Sequence, residues 1–325
     1  MTPAWWLTPA IISCGFAAFG APAPAPFPKL LLHERARPPW HVAGIDYAVG
    51  VPANMTLKDP ARIDMPGVGL DPSSHLLRVT GDNITLDGYD FALQGGWGII
   101  IEGHHDTVSR ANFKVGSNNT IPIRGAGTAA DFTILDSTID GGGAGPHASD
   151  IWAVIDDNGH GMTIERCWIK NTPVDAIDFN GDGKLIAERN LFNNLGYAPG
   201  AHADAIQFTH GHVTGADIVL NTVYDPQPVA GFPVPGGEGL QVEAQLGGSI
   251  TDAHVARNTI VTTGPLKTAG YLIAVRQDEG SRLDGVVVEE NYLDSTGGWG
   301  AFYPPSGTRV VFRGNVDMVK GRVLF

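Results

Sequence analysis

The chain has 325 residues and a formal net charge of −13, from 34 acidic against 21 basic side chains. No basic stripe accompanies that balance, so a nucleic-acid partner is excluded, and an acidic polymer would need a bridging cation. With 43 Gly and 23 Pro, the sequence is punctuated too often for long helices, and short strands are expected throughout.

Residues 1–29 come first, with an apolar, uncharged run over Ala4–Phe19 and a Pro/Ala-rich linker behind it. This extension reads either as a signal-like leader or as an arm that docks into a larger assembly, a homotrimer or a virion. The first reading implies a secreted, extracellular or periplasmic protein, the second a virion component. Residues 30–75 read as an adaptor that caps the first coil, because the bare end of a parallel sheet invites edge pairing. Cys14 lies in the leader and Cys167 in the repeats, and no disulfide between them is expected.

From residue 76 to residue 325 a short pattern recurs: an aliphatic residue, asparagine or a small residue three places on, and an apolar residue two further. It reads Ile134/Ser137/Ile139, Ile164/Cys167/Ile169, Ala187/Asn190/Phe192, Ile218/Asn221/Val223, Val255/Asn258/Ile260 and Val288/Asn291/Leu293. Weaker copies stand at Leu86/Tyr89/Phe91, Val108/Ala111/Phe113 and Phe312/Asn315/Asp317, and successive copies lie 22 to 37 residues apart. Each copy opens on a strand with period-two alternation, such as Met162–Ile169, and a second short strand follows a loop. Such a period predicts an all-β solenoid of about nine coils, a right-handed parallel β-helix. Asparagine at the bend is expected both to tolerate a left-handed backbone and to bond the asparagines above and below it.

These repeats resemble the pectate-lyase-like β-helix superfamily, which includes polysaccharide lyases and hydrolases and phage tailspike-type proteins. The resemblance spans about Leu76 to Phe325 and is architectural. Asp156-Asp157 and Gly159-His160-Gly161 precede Asn171-Thr172, not the order seen in polygalacturonases, and neither Arg-Ile-Lys nor a pectate-lyase Arg-x-Pro-x-x-Arg segment is present. What the resemblance implies is a polysaccharide partner; the reaction stays open, because fold does not fix function.

Aligning the second strands, with Ile177/Phe179, Ile206/Phe208, Leu240/Val242 and Ile273/Val275 inward, leaves one outward column of Asp178, Gln207, Gln241 and Ala274. The next is Asn180, Thr209, Glu243 and Arg276, and Asp175, Asp204 and Glu238 stand just before the strands. Strands about 4.8 Å apart bring carboxylates of neighbouring coils near the spacing that glycosidases use. Candidate catalytic residues are therefore Asp178, His202, Asp204, Glu243 and Arg276, with His202 beside Asp204 as an acid or base titrating near neutrality. Candidate substrate-binding residues are Asp175, Gln207, Glu238, Gln241, Trp152 and Tyr197, with Phe232 and Trp299 as further ring platforms. The same oxygens would suit Ca²⁺, and His202, His210 and His212 a transition metal, although no residue is assigned as a metal ligand. Against these stand structural roles: Asp175 and Asp204 as acceptors in Asx-turns, the glutamines as a solvated face, the rings as packing. The expected function is cutting of a glycan by hydrolysis or β-elimination in a groove along the solenoid. The alternative is a tailspike-type or surface protein that binds glycans without turnover, and a third reading is a purely structural solenoid.

Overall fold

The structure is a computed structural model and describes residues 24–119, 121–145, 150–198, 201–225, 239–262, 270–294 and 299–325. The chain is all-β, built from long parallel stacks of short strands. Successive strands enter different sheets, and most pair in parallel with their counterpart in the next repeat. One sheet extends from Leu76–Val79 to Ile206–Phe208, a second from Thr85–Asp87 to Val311–Arg313, and a third from Asn112–Lys114 to Val316–Asp317. Three further strands, Leu240–Ala244, Tyr271–Gln277 and Gly300–Phe302, pack against the far end of the first sheet. The architecture is solenoid-like, as the repeat predicts.

The repeat positions are the ladder partners. Leu86, Val108, Ile134, Ile164, Ala187, Ile218, Val255, Val288 and Phe312 oppose one another in sequence along the second sheet. Phe113, Ile139, Ile169, Phe192, Val223, Ile260, Leu293 and Asp317 do the same in the third. Nearly all are buried, and burying each large apolar side chain contributes about 1.5–3 kcal/mol.

Between these two sheets the asparagines form a continuous internal ladder. The Nδ2 of Asn190 donates to Asn221 Oδ1 at 2.9 Å, Asn221 to Asn258 at 3.1 Å, Asn258 to Asn291 at 2.9 Å and Asn291 to Asn315 at 2.9 Å. Each Oδ1 also accepts a backbone N–H from the preceding coil, as Asn190 Oδ1 does from Cys167 at 2.9 Å. Ser137 fills the slot one coil earlier and accepts the Ala111 N–H at 3.0 Å. The left-handed backbone, however, falls one residue before the ladder slot, whether that slot holds Ala111, Ser137, Cys167 or an asparagine. Arg110, Asp136, Arg166, Arg189, Leu220, Arg257 and Glu290 carry φ between 48° and 60°. Such a conformation costs a non-glycine residue about 1–2 kcal/mol, and after Arg189, Leu220, Arg257 and Glu290 the bonded amide that follows offsets it. Asparagine is placed for its amide, and its tolerance of positive φ is not used.

Residues 24–58 lie lengthwise on the outer face of the third sheet. Phe27 meets Tyr224 and Trp168 edge-on at 4.8 and 6.4 Å. The segment then reaches the last repeat, where the Arg35 and Ala36 N–H groups donate to the Met318 carbonyl at 3.0 and 3.1 Å. It returns past Tyr292, against which Trp40 packs at 5.1 Å, past the Arg166 carbonyl bonded by Gly50, and bridges Tyr89 at Lys58. Beyond it, Val68–Asp71 pairs antiparallel with Leu76–Val79 and so covers the first edge of the first sheet. Among the described residues no helix is long and apolar enough to cross a membrane.

Candidate functional site

The outer face of the first sheet carries the polar columns. Ile155, Ile177 and Ile206 are inward and buried, so alternation turns their neighbours outward. Arg124, Asp156, Asp178 and Gln207 are then successive ladder partners in one row. Asp178 Oδ1 accepts the Thr209 hydroxyl at 2.8 Å. Asp156 Oδ1 accepts Asn158 Nδ2 at 3.0 Å and Asn180 Nδ2 at 3.2 Å, and its Oδ2 accepts Arg124 Nε at 3.1 Å. The Arg124 guanidinium lies over Trp152, 5.7 Å from the ring centre, and Trp152 is itself 48% exposed. Burial raises the Asp178 carboxyl above its usual range, opposed by its bonds to Asn180 and Thr209 and reinforced by Asp156.

Beside this row the structure brings Asp175, Asp204, Gln207 and His202 together. Asp175 opens its strand and does not precede it. Its Oδ1 accepts the Asp204 N–H at 2.7 Å, a link between coils in place of the expected Asx-turn. The Gln207 amide, turned to satisfy its surroundings, donates to Asp175 Oδ2 at 2.9 Å and to Asp204 Oδ2 at 3.2 Å. His202 Nδ1 lies 3.5 Å from Asp204 Oδ2, and its side chain is 50% exposed where that of Asp204 is fully buried. Desolvation, and then the charge of Asp204, pushes the Asp175 carboxyl well above the ordinary range. Two buried carboxyl groups this close cannot both ionise, so the pair retains a proton at pH values where an exposed aspartate has lost it. Both oxygens of Asp175 are taken, by the Asp204 N–H and by Gln207, and Asp204 has no exposure. His202 is the half-exposed member of the group, and Asp178, on the outward row, is 7% exposed.

Gln241, Glu243 and Arg276 form a second group. Glu243 Oε2 accepts Gln241 Nε2 at 2.9 Å and lies 2.5 Å from Arg276 Nε. The Arg276 guanidinium covers the Tyr303 ring at 4.8 Å. Burial raises the Glu243 carboxyl to about 7, with Arg276 opposing. Glu243 and Arg276 are ladder partners, as are Gln241 and Ala274. No ladder joins Ile206–Phe208 to Leu240–Ala244, so the single column expected from Asp178 to Ala274 exists as two segments. A cavity of about 540 Å³ borders Glu243, Arg276, Asp278 and Tyr303. Trp299, 59% exposed, packs on Tyr271 at 5.5 Å. At the opposite end of the face, a cavity of about 220 Å³ is bordered by His75, Asn118 and Arg124.

Other candidates stand apart from this face or beyond what is described. Tyr197 lies where the third sheet ends, its hydroxyl 3.5 Å from Asn171 Oδ1. His210 and His212 lie past the strand Ile206–Phe208, at the end opposite His202, and His212 Nδ1 contacts Ser249 Oγ at 3.0 Å. Glu238, Phe232 and the apolar leader lie outside the described residues. Among the described residues no group of three or more His, Cys, Asp and Glu side chains is arranged to hold a metal ion.

Asp156 and Arg124 complete the row but escaped the column alignment, which began two coils too late. The signal was present: Ile155-Asp156-Asp157-Asn158-Gly159 and Ile177-Asp178-Phe179-Asn180-Gly181 share their pattern. Neither a family model, nor a curated protein, nor a solved structure matches the chain.

Proposed function

We propose that the protein cleaves a glycan chain laid across the outer face of the first sheet, and that the stack is a right-handed parallel β-helix of the pectate-lyase-like kind. The handedness rests on the near-universal right-handed crossover between parallel strands. The observation that carries the activity is the half-exposed His202 held against a buried carboxyl pair, with Asp178 outward on the neighbouring strand. A general acid or base must touch the reacting atoms; the half-exposed His202 is the member of the group open to a polymer, and Asp178 offers its small exposed part on the outward row. Asp175 and Asp204 set the proton balance behind His202, and Gln207 fixes their geometry. Trp152 and Trp299, exposed at either end, offer flat faces for sugar rings. A polymer of this kind is met outside the cell, which fits the expected export or virion placement.

The test is release of new chain ends from a panel of neutral and acidic polysaccharides, with His202→Ala and Asp178→Asn as variants. Each is expected to lose about 100-fold or more in kcat/KM while unfolding in a single cooperative transition no lower in temperature than wild type. Turnover unchanged in both variants would refute the assignment. Binding without turnover across the panel would leave a glycan-binding surface protein instead.

A further inference from the structure

The charge pattern of this face decides what kind of glycan it accepts, granted the reading above that a glycan lies there. Three described arginines point outward from these strands, and each already has a carboxylate. Arg78 pairs with Glu102, Arg124 with Asp156 at 3.1 Å, and Arg276 with Glu243 at 2.5 Å. Arg124 and Arg276 are in addition covered on one side by Trp152 and Tyr303. Between them lie Asp178 and the Asp175–Asp204 pair, at the centre of the face. A uronic-acid polymer carries a carboxylate on every sugar and would set acceptor against acceptor along that line. Releasing an arginine to meet it would strand a carboxylate that is 3–5% exposed, Asp156 or Glu243, which is a costly exchange.

The uncharged groups ask for the opposite chemistry. Asn180 Oδ1 and Gln241 Oε1 are buried acceptors without a hydrogen-bond donor, their residues being 8% and 2% exposed. Buried acceptors left bare are rare, because each costs free energy until a donor reaches it. Asp178 likewise has acceptor capacity beyond the bond from Thr209. Sugar hydroxyls are donors, and carboxylates are not.

We infer that the groove takes an uncharged glycan, bound through hydroxyl donors to Asp178, Asn180 and Gln241, and that it discriminates against uronic-acid polymers. The reaction class follows. Elimination begins by removing a C–H proton made acidic by an adjacent uronate carboxyl, and a neutral sugar has none. Cleavage is then hydrolysis: water gives its hydroxyl to the anomeric carbon, the glycosidic C–O bond breaks, and the leaving oxygen takes the proton.

Affinity electrophoresis in gels carrying a neutral glucan, mannan or galactan, or polygalacturonate or alginate, reads this directly, each with and without Ca²⁺. The intact chain is expected to be retarded at least about tenfold more strongly by one neutral polymer than by either uronate, with no effect of Ca²⁺. Glu243→Gln, which releases Arg276, is expected to raise uronate retention by about tenfold. Equal or stronger retention on a uronate, Ca²⁺-dependent uronate retention, or no retention on any neutral polymer overturns the inference. A neutral polymer bound but never cut would sink the enzymatic reading and leave this one standing. Unsaturated ends released from a uronate would do the reverse.

Discussion

Replacing Asn221 by alanine weighs the internal ladder most directly. Its Oδ1 accepts the Asn190 backbone N–H at 3.0 Å and Asn190 Nδ2 at 2.9 Å, while its Nδ2 donates to the Ala187 carbonyl at 2.8 Å and Asn258 Oδ1 at 3.1 Å. Alanine removes all four at a position with no exposure. Asn190 Nδ2 keeps the Ile164 carbonyl, and Asn258 Oδ1 keeps the residue-221 N–H. The Asn190 N–H loses its acceptor. One buried orphan costs about 1–3 kcal/mol and each of the three further lost bonds about 1 kcal/mol, which together give about 4–6 kcal/mol. Urea unfolding followed by circular dichroism measures it as a drop in the midpoint at constant slope. Serine at the same position retains an acceptor, as Ser137 does for Ala111, and is expected to recover about 1–2 kcal/mol. A loss below about 1 kcal/mol for alanine, or serine no better than alanine, would refute the view that these amides hold the coils together.

Asp157 points into the interior, where Gly125 makes room for it: a Cβ there would sit 2.1 Å from Asp157 Oδ1. Burial raises this carboxyl from 3.8 to about 7, its Oδ2 lacks a partner, and only the Gly159 N–H opposes the shift. With the folded value above the unfolded one, stability is full below about pH 4 and falls as pH rises towards 7. Asp157→Asn is expected to flatten that slope and to gain about 2–4 kcal/mol at pH 8; a slope identical to wild type in urea titrations across pH would count against it. Leu220 bears a φ of 60°, so Leu220→Gly is expected to stabilise by about 0.5–1 kcal/mol, read as a raised melting temperature. Gln207→Leu removes donors that favour the ionised Asp175–Asp204 pair, and the acid limb of kcat/KM is expected to move up by about one pH unit. An unmoved profile would mean that Gln207 packs without positioning.

The repeat was legible because it is a ladder seen edge-on. The spacing of Val223, Ile260 and Leu293 varies, yet they stack in strict succession, since loops absorb the difference in length. The left-handed residue was misplaced by one, because Arg189 or Leu220 carries no propensity signal for positive φ whereas asparagine does. The candidate face was half legible. Alternation placed Asp178, Gln207, Glu243 and Arg276 outward, but the break in pairing after Ile206–Phe208 leaves no trace in the sequence. Nor could alternation reveal that Arg276 is tied to Glu243. Residues 24–58 were the least readable: they have no period, and their partners lie up to 283 positions away, as Arg35 to Met318.

That last contact reverses the order in which the chain is made. A growing solenoid adds each coil to the one before it, and its units answer only to their neighbours. Here Arg35 docks onto a coil synthesised 283 residues after it, so the clasp closes only once that coil has been added. Loosening that coil then requires peeling a segment that also grips Tyr224, Arg166 and Thr138. Damage at one end is thereby felt along the whole stack, and a linear assembly gains the all-or-none character of a closed one.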